Sequence, residues 1–234
     1  MYRTTICGFI ALFGLWIAGG VSAEEANQDA AKPSERFVDC GDGTLADNRE
    51  GLLWEKKTGA VGEFVQCENL PMGCLNPHDV NNRYELSNTG TEPDGNVYTD
   101  FLPRLNGASL TFEEEDEETG EVTEVVVEAT ECLAGHCDWR LPTLRELRSI
   151  LIGPRALKIQ PNKCPEPPCI DAGFAAIGGP TASMVYWSSD PASVPQNGRG
   201  AMFKNGLTTN AYKKSFDCYV RAVRRGGCED ADVQ

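Results

Sequence analysis

Trp139-Arg140-Leu141-Pro142-Thr143-Leu144-Arg145-Glu146-Leu147-Arg148-Ser149-Ile150-Leu151 holds the clearest local signal in the chain. Thr143 and Glu146 have capping-box spacing. The threonine hydroxyl can accept from the Glu146 N–H, and the Glu146 carboxylate can accept from the Thr143 N–H. Behind this start, Leu144, Leu147, Ile150 and Leu151 fall on one face at helical spacing, while Arg145 and Arg148 point away from it. Gly153-Pro154 then predicts the stop. One amphipathic helix therefore follows residue 143, with its apolar stripe directed at a core.

Downstream the pattern changes to antiparallel β-structure. Val185-Tyr186-Trp187-Ser188-Ser189 predicts a strand, and Ala201–Lys204 with Leu207–Thr209 predicts a hairpin around the two-residue turn Asn205-Gly206. Cys218-Tyr219-Val220-Arg221-Ala222-Val223-Arg224 alternates, as a strand half-buried against a core would. Upstream, Thr44–Ala46 and Leu52–Trp54 flank the turn-forming Asp47–Gly51 and predict a second hairpin. Residues 57–108 are irregular and rich in Gly, Pro and Asn, with one apolar segment at Tyr98–Leu105 that fits either a helix or a strand. Residues 109–130 predict an inserted hairpin with an acidic tip, the run Glu113–Glu118 followed by the turn Glu118–Glu121 and the β-branched return Val122–Val127.

The chain has 234 residues, ten of them cysteine. Its start reads as an export signal: Arg3, an apolar core over residues 8–18, and small residues at Val21-Ser22-Ala23 before Glu24. The apolar run is short against roughly 30 Å of hydrocarbon, which favours a cleaved signal peptide over residues 1–23 and no membrane insertion afterwards. Residues 24–36 are polar and lack aromatics, a disordered lead-in. The domain proper then spans residues 37–228, and an acidic tail, 229–234, follows it. Export places the protein in the periplasm, at the cell surface or outside the cell.

An oxidising compartment favours disulfides. With Cys7 lost to the signal, nine cysteines remain. Short spacings suggest Cys67–Cys74, Cys132–Cys137 and Cys164–Cys169, while Cys40, Cys218 and Cys228 compete for a fourth bond. An odd number leaves one thiol free or paired with another molecule, so a disulfide-linked or oligomeric partner is one reading. Zinc on Cys132, Cys137, Cys164 and Cys169, with His136 between, is the alternative. Structural zinc sites more often use Cys-x2-Cys knuckles, and export favours oxidation over metal loading. The net charge of −14 opposes nucleic acid and anionic polysaccharide as main partners, although residues 199–225 are locally basic.

Catalytic constellations are weak. Only His78 and His136 could serve as an imidazole base, the first in a loop and the second pressed beside Cys137. Ser188-Ser189 fits strand-end hydrogen bonding better than nucleophilic attack. No phosphate-cradling Gly loop or His-Glu-x-x-His helix occurs, and Asp39–Asp47 lacks the ligand alternation of a calcium loop. The reading is a protein that is not an enzyme and needs no cofactor or metal.

Asp42-Gly-Thr-Leu-Ala-Asp47-Asn, Gly51-Leu-Leu-Trp54-Glu, Asp138-Trp139-Arg140-Leu141-Pro142-Thr143, Glu146-Leu147, Tyr186-Trp187-Ser-Ser189 and Tyr219-Val-Arg221-Ala-Val-Arg224 occur in this order. As an ordered set they resemble the Lcl C-terminal domain family, also called DUF1566, from about residue 37 to 225. The resemblance implies a fold like C-type lectins and the formylglycine-generating enzyme group. For the collagen-like bacterial adhesin that names the family, it implies binding of sulfated polysaccharides. This chain lacks a collagen-like repeat and is acidic, and no counterpart of the enzymes' copper-binding cysteine pair is present. The matching motifs look like scaffold, with Trp54, Trp139 and Trp187 in the core. The expected fold is α+β and C-type-lectin-like: a twisted antiparallel sheet, one or two helices and long disulfide-pinned loops. The expected function is an exported non-catalytic binding module for a glycan or a surface protein, or alternatively a structural interaction domain of an envelope assembly. Mass spectrometry of the exported protein should find its N-terminus at Glu24; an intact Met1 would mark an uncleaved anchor instead.

Overall fold

The capping box forms as its spacing demands. In the computed structural model, which describes residues 35–67, 70, 73–115, 119–128, 130–153, 164 and 166–228, the Thr143 hydroxyl accepts from Glu146 N and a Glu146 carboxylate oxygen accepts from Thr143 N. The signal segment, Cys7, the acidic tail and hairpin residues 116–118 lie outside the described residues, as does the lead-in up to residue 34. The described residues all fall in one compact unit, Ser34–Gln234.

The chain order is β1 (Phe37–Asp39), β2 (Thr44–Asp47), β3 (Leu52–Glu55), β4 (Val65–Gln66) and β5 (Asn82–Tyr84). A π-helical turn (Val97–Phe101) runs into α1 (Leu102–Leu105), then β6 (Leu110–Glu115) and β7 (Val122–Val127) form the inserted hairpin. After α2 (Leu144–Ile150) and α3 (Ala172–Ile177) come β8 (Val185–Pro191), β9 (Asn197–Met202), β10 (Leu207–Lys213), β11 (Cys218–Tyr219) and β12 (Val223–Arg225). The α+β class holds, with disulfide-pinned loops.

The expectation of a single antiparallel sheet is corrected. Among the described residues there are three sheets: an antiparallel β1-β2-β3-β12, a mixed β10-β9-β8-β11-β5-β4, and the hairpin β6-β7. The pairs β8–β11 and β4–β5 are parallel. Among the described residues three short α-helical segments form rather than one or two. The unforeseen α3 starts where the Asp171 side chain accepts from Gly173 N and buries Phe174.

Two apolar clusters build the interior, and the central strands separate them. Leu52, Trp54, Tyr186, Tyr219 and Val223 face one cluster with Leu144, Leu147 and Phe174. Leu53, Trp187, Val220 and Ala222 face the other with Tyr84, Phe101 and Trp139. This overturns the half-buried reading of residues 218–224. The alternation is real, but both faces meet a core, so every residue from Cys218 to Val223 is buried. The segment also changes sheets, pairing as β11 with β5 and β8 and then as β12 with β3.

Arg221 sits at that changeover and is 2% exposed. Its guanidinium donates to the carbonyls of Glu55 and Gly178 through Nη1, and to Pro180 O and the Thr181 hydroxyl through Nη2. It also lies over the Phe174 ring, 5.2 Å from the centroid. Glu55, fully buried at the end of β3, accepts from Ala222 N through Oε2 and from Lys57 Nζ (2.8 Å) through Oε1. Oε1 also meets His78 Nδ1 at 2.9 Å. Gly179, at φ +76°, lets the next turn run against the Lys57 carbonyl where a Cβ would collide.

Three smaller expectations are revised. Helix α2 ends at Ile150, short of Gly153-Pro154, because Leu151 turns extended and bridges Ile170. The β9–β10 connection is four residues, 203–206, since Met202 pairs with Leu207 and Phe203 leaves the ladder to donate its N–H to Met184 O and enter the core. Glu35 and Arg36, read as the end of the lead-in, belong to the fold: Arg36 pairs with buried Asp47 at 2.8 Å and donates to Ser149 O at the end of α2.

The cysteines form Cys67–Cys74, Cys132–Cys137, Cys164–Cys169 and Cys40–Cys228. The last closes 188 residues of sequence, worth about 5 kcal/mol on the chain-entropy model against ~2 for each short loop.

Burial alone would raise the Glu55 carboxyl, but Lys57 and His78 outweigh it and hold it at about 2. A carboxyl depressed on folding stabilises the native state fully above its ordinary value of 4.5, and that stability disappears as pH falls through about 2. Glu55→Gln should cost on the order of 3–5 kcal/mol in denaturant unfolding at neutral pH, because it leaves Lys57 and Arg221 buried without their counter-charge. The variant's stability should also vary less with pH between 4.5 and 2 than that of the parent; a loss below about 1 kcal/mol would show that the network does not hold the sheets together.

Candidate functional site

The motif residues singled out in the sequence are scaffold. Trp54, Trp139 and Trp187 are buried, at 0%, 3% and 0% exposure. Arg140 grips Glu146 with two bonds of 2.7 and 2.9 Å, holding the capping carboxylate in place, and its backbone pairs with Val223. Leu141 and Pro142 are buried, and Pro142 O accepts from Ser189 N. Arg224 reaches Asp138 at 2.6 Å. The structure brings these groups together around the start of α2 and the joint between sheets, not into a cleft.

The polar groups weighed for chemistry are likewise occupied. Ser188 is buried and donates to Arg199 O. Asp39, Asp42 and Asp47 serve Lys56, Thr44 and Arg36 respectively. Oxidation of Cys132, Cys137, Cys164 and Cys169 removes the thiolates a zinc site would need. His78 is more than a loop residue, because its Nδ1 is held by buried Glu55. It lines a small cleft of about 150 Å³ with Arg104 and Glu131 at the base of the β6–β7 hairpin.

The larger cleft, about 380 Å³, was not foreseen. It opens beside β5 and β11 and is closed on one side by residues 215–217, which follow β10. Arg83, on β5, donates from Nε and Nη2 to the Asp217 carbonyl at 3.2 and 2.7 Å. The guanidinium lies 4.2 Å from the centroid of the Phe64 ring and 5.7 Å from that of Tyr219. Gln66, on β4, donates to the Asp217 carboxylate at 2.6 Å. Phe216 stands half exposed at the rim, edge-on to Tyr212 with centroids 6.4 Å apart. Met184 and Phe64 are also half exposed here.

These features assemble a polar floor of planar side chains beneath a broken ring of aromatics. Burial, reinforced by the repulsion of Asp217 and Asp94, pushes the Glu85 carboxyl up, so the negative side chains crowd each other beside the cleft. The sequence offered no pattern for this. Arg83, Gln66 and Phe64 sit in the irregular stretch before β6, far along the chain from Phe216 and Asp217, and only the β5–β11 pairing joins them.

Cys218 lies in the cleft wall and is the unpaired cysteine among the described residues. It is 4% exposed, and burial pushes its thiol up to about 12. Burial of this kind disfavours the thiolate that attack or metal binding requires.

The profile of the Lcl C-terminal domain family matches residues 43–224, and the chain belongs to that family. No curated protein and no solved structure matches it. Among the described residues no helix is long and apolar enough to cross a membrane, and the four disulfides are consistent with an exported domain.

Alkylation of the native, processed protein should modify no cysteine within the time that labels a surface thiol, and one equivalent after denaturation without reductant. Rapid native labelling would place the Cys218 thiol in contact with solvent.

Proposed function

We propose, from the premise of an Lcl C-terminal domain, that this protein is an exported, non-catalytic binding module that recognises a glycan at or outside the cell surface, on a C-type-lectin-like scaffold. The observation that carries the reading is the large cleft with its aromatic rim and planar polar floor. Sugar rings bind proteins by laying their C–H faces on aromatic rings and exchanging hydrogen bonds with planar amide, carboxylate and guanidinium groups. Phe216 and Tyr212 supply the first element, and Gln66, Arg83 and Asp217 the second.

A second reading, a protein-interaction domain of an envelope assembly, is favoured by one feature. Val122 and Val126 stand more than half exposed on the β6–β7 hairpin, on the face that also carries Glu113 and Glu124. An arm of this kind suits a protein surface better than a sugar.

A glycan array probed with the purified, oxidised protein tests the first reading. Saturable binding is the expected outcome, and Phe216→Ala should weaken it at least about tenfold, equivalent to ~1.4 kcal/mol of stacking. Phe216 is half exposed, so the variant should keep the parent's melting temperature within a few degrees. A blank array would remove glycan recognition and direct attention to the hairpin.

A further inference from the structure

The charges around the large cleft say which saccharides it accepts. Among the described residues Arg83 is the only cation lining it, and two of its nitrogens are bonded to the Asp217 carbonyl while its face is covered by Phe64. It is a fixed part of the floor, not a free anion receptor. Against this one positive charge stand the Asp217 carboxylate, which lines the cleft, and Glu85, close enough for Asp217 to act on it. Lys214, next to the closing loop, is turned away to the Thr91 carbonyl. The two charges that line the cleft therefore balance, and neither is a free cation, within a chain of net charge −14. A sulfate or carboxylate entering the cleft would lose its water and meet the Asp217 carboxylate, with the lining guanidinium of Arg83 already bonded to the backbone. Hydroxyl groups carry no such penalty, and they donate well to a carboxylate and a carbonyl.

We propose that this cleft selects neutral, hydroxyl-rich saccharides and excludes sulfated and uronic acid chains. The proposal rests on the glycan-binding reading and narrows it to one chemical class. The sugar ring packs on the half-exposed Phe216, and its hydroxyls meet Gln66 and the Asp217 carboxylate oxygen that accepts from it. The exposed arginines of α2, Arg145 and Arg148, form a separate cationic face, with Arg148 Nη2 bonded to the Thr208 hydroxyl. An anionic chain would find its counter-charge on that face instead.

The experiment is an array of neutral, sulfated and uronic glycans, read at 50 and 300 mM salt with the full processed chain, Phe216→Ala and Asp217→Asn. The proposal expects neutral glycans to bind with less than a twofold change between the two salts, and Phe216→Ala to reduce that signal at least tenfold. Asp217→Asn keeps the side-chain shape and removes one negative charge, so it should raise the signal of sulfated glycans several-fold relative to neutral ones. Binding confined to sulfated or uronic glycans, falling steeply with salt and untouched by Phe216→Ala, would overturn the proposal while leaving a glycan-binding module in place. Binding of no glycan at either salt would overturn the glycan-binding reading itself.

Discussion

A buried guanidinium joins the two main sheets, and most of the architecture follows from satisfying it. Arg221 lies where the last strand leaves the mixed sheet and enters the antiparallel one, so its surroundings come from both. Four oxygens on β3 and the turn after α3 accept from it, and the Phe174 ring covers its face. Glu55 supplies the counter-charge through the same stretch of backbone, gripping Ala222 N while its other oxygen holds Lys57 and His78. Buried ion groups are rarely a net gain in stability over apolar packing, yet removing one partner is costly because the other is stranded. That asymmetry favours a single arrangement of the sheets, since a shifted register would orphan a charge.

Local rules were readable where they acted within a few residues. The capping box at Thr143 and Glu146, the hairpin across Asp47–Gly51 and the three short disulfide loops all depend on neighbours in the chain. Legibility failed where the partner lies far away. The alternation of residues 218–224 is the same whether one face or two are covered, and only the second cluster, with Tyr84, Trp139 and Trp187, reveals that both are. Nothing near Arg221 or Glu55 in the chain shows that the two are joined in one buried network, for the same reason. The cleft was the least legible part. Its polar floor comes from β4, β5 and residue 217, elements separated by the whole of the inserted hairpin and both longer helices, and none carries a recognisable motif.

The division between scaffold and site bears on how one family can serve several ligands. The matched span, residues 43–224, contains the motif residues that build the joint and the start of α2. The cleft shares Val185, Cys218 and Tyr219 with the core, but its rim adds Gln66, Ser215 and Phe216, which belong to neither apolar cluster. Exchange of rim residues changes the charge and shape of the opening without disturbing Trp54, Trp187 or Arg221. A scaffold with an internal polar anchor tolerates such exchange well, because its geometry does not depend on what lines its surface.

The Cys40–Cys228 bond has a mechanical meaning as well. Its two Cα atoms lie 5.2 Å apart, one just after β1 and the other just after β12. A pull applied to the chain before Phe37 and after Cys228 loads β1, which precedes Cys40, and then runs through one covalent S–S link. While the link is oxidised, the strands between the two cysteines carry no tension, so flow or traction on the flanking chain can peel β1 from β2 but not β12 from β3. Reduction would extend the load to β12, the opposite edge strand of the same sheet, and the domain would then yield from both ends.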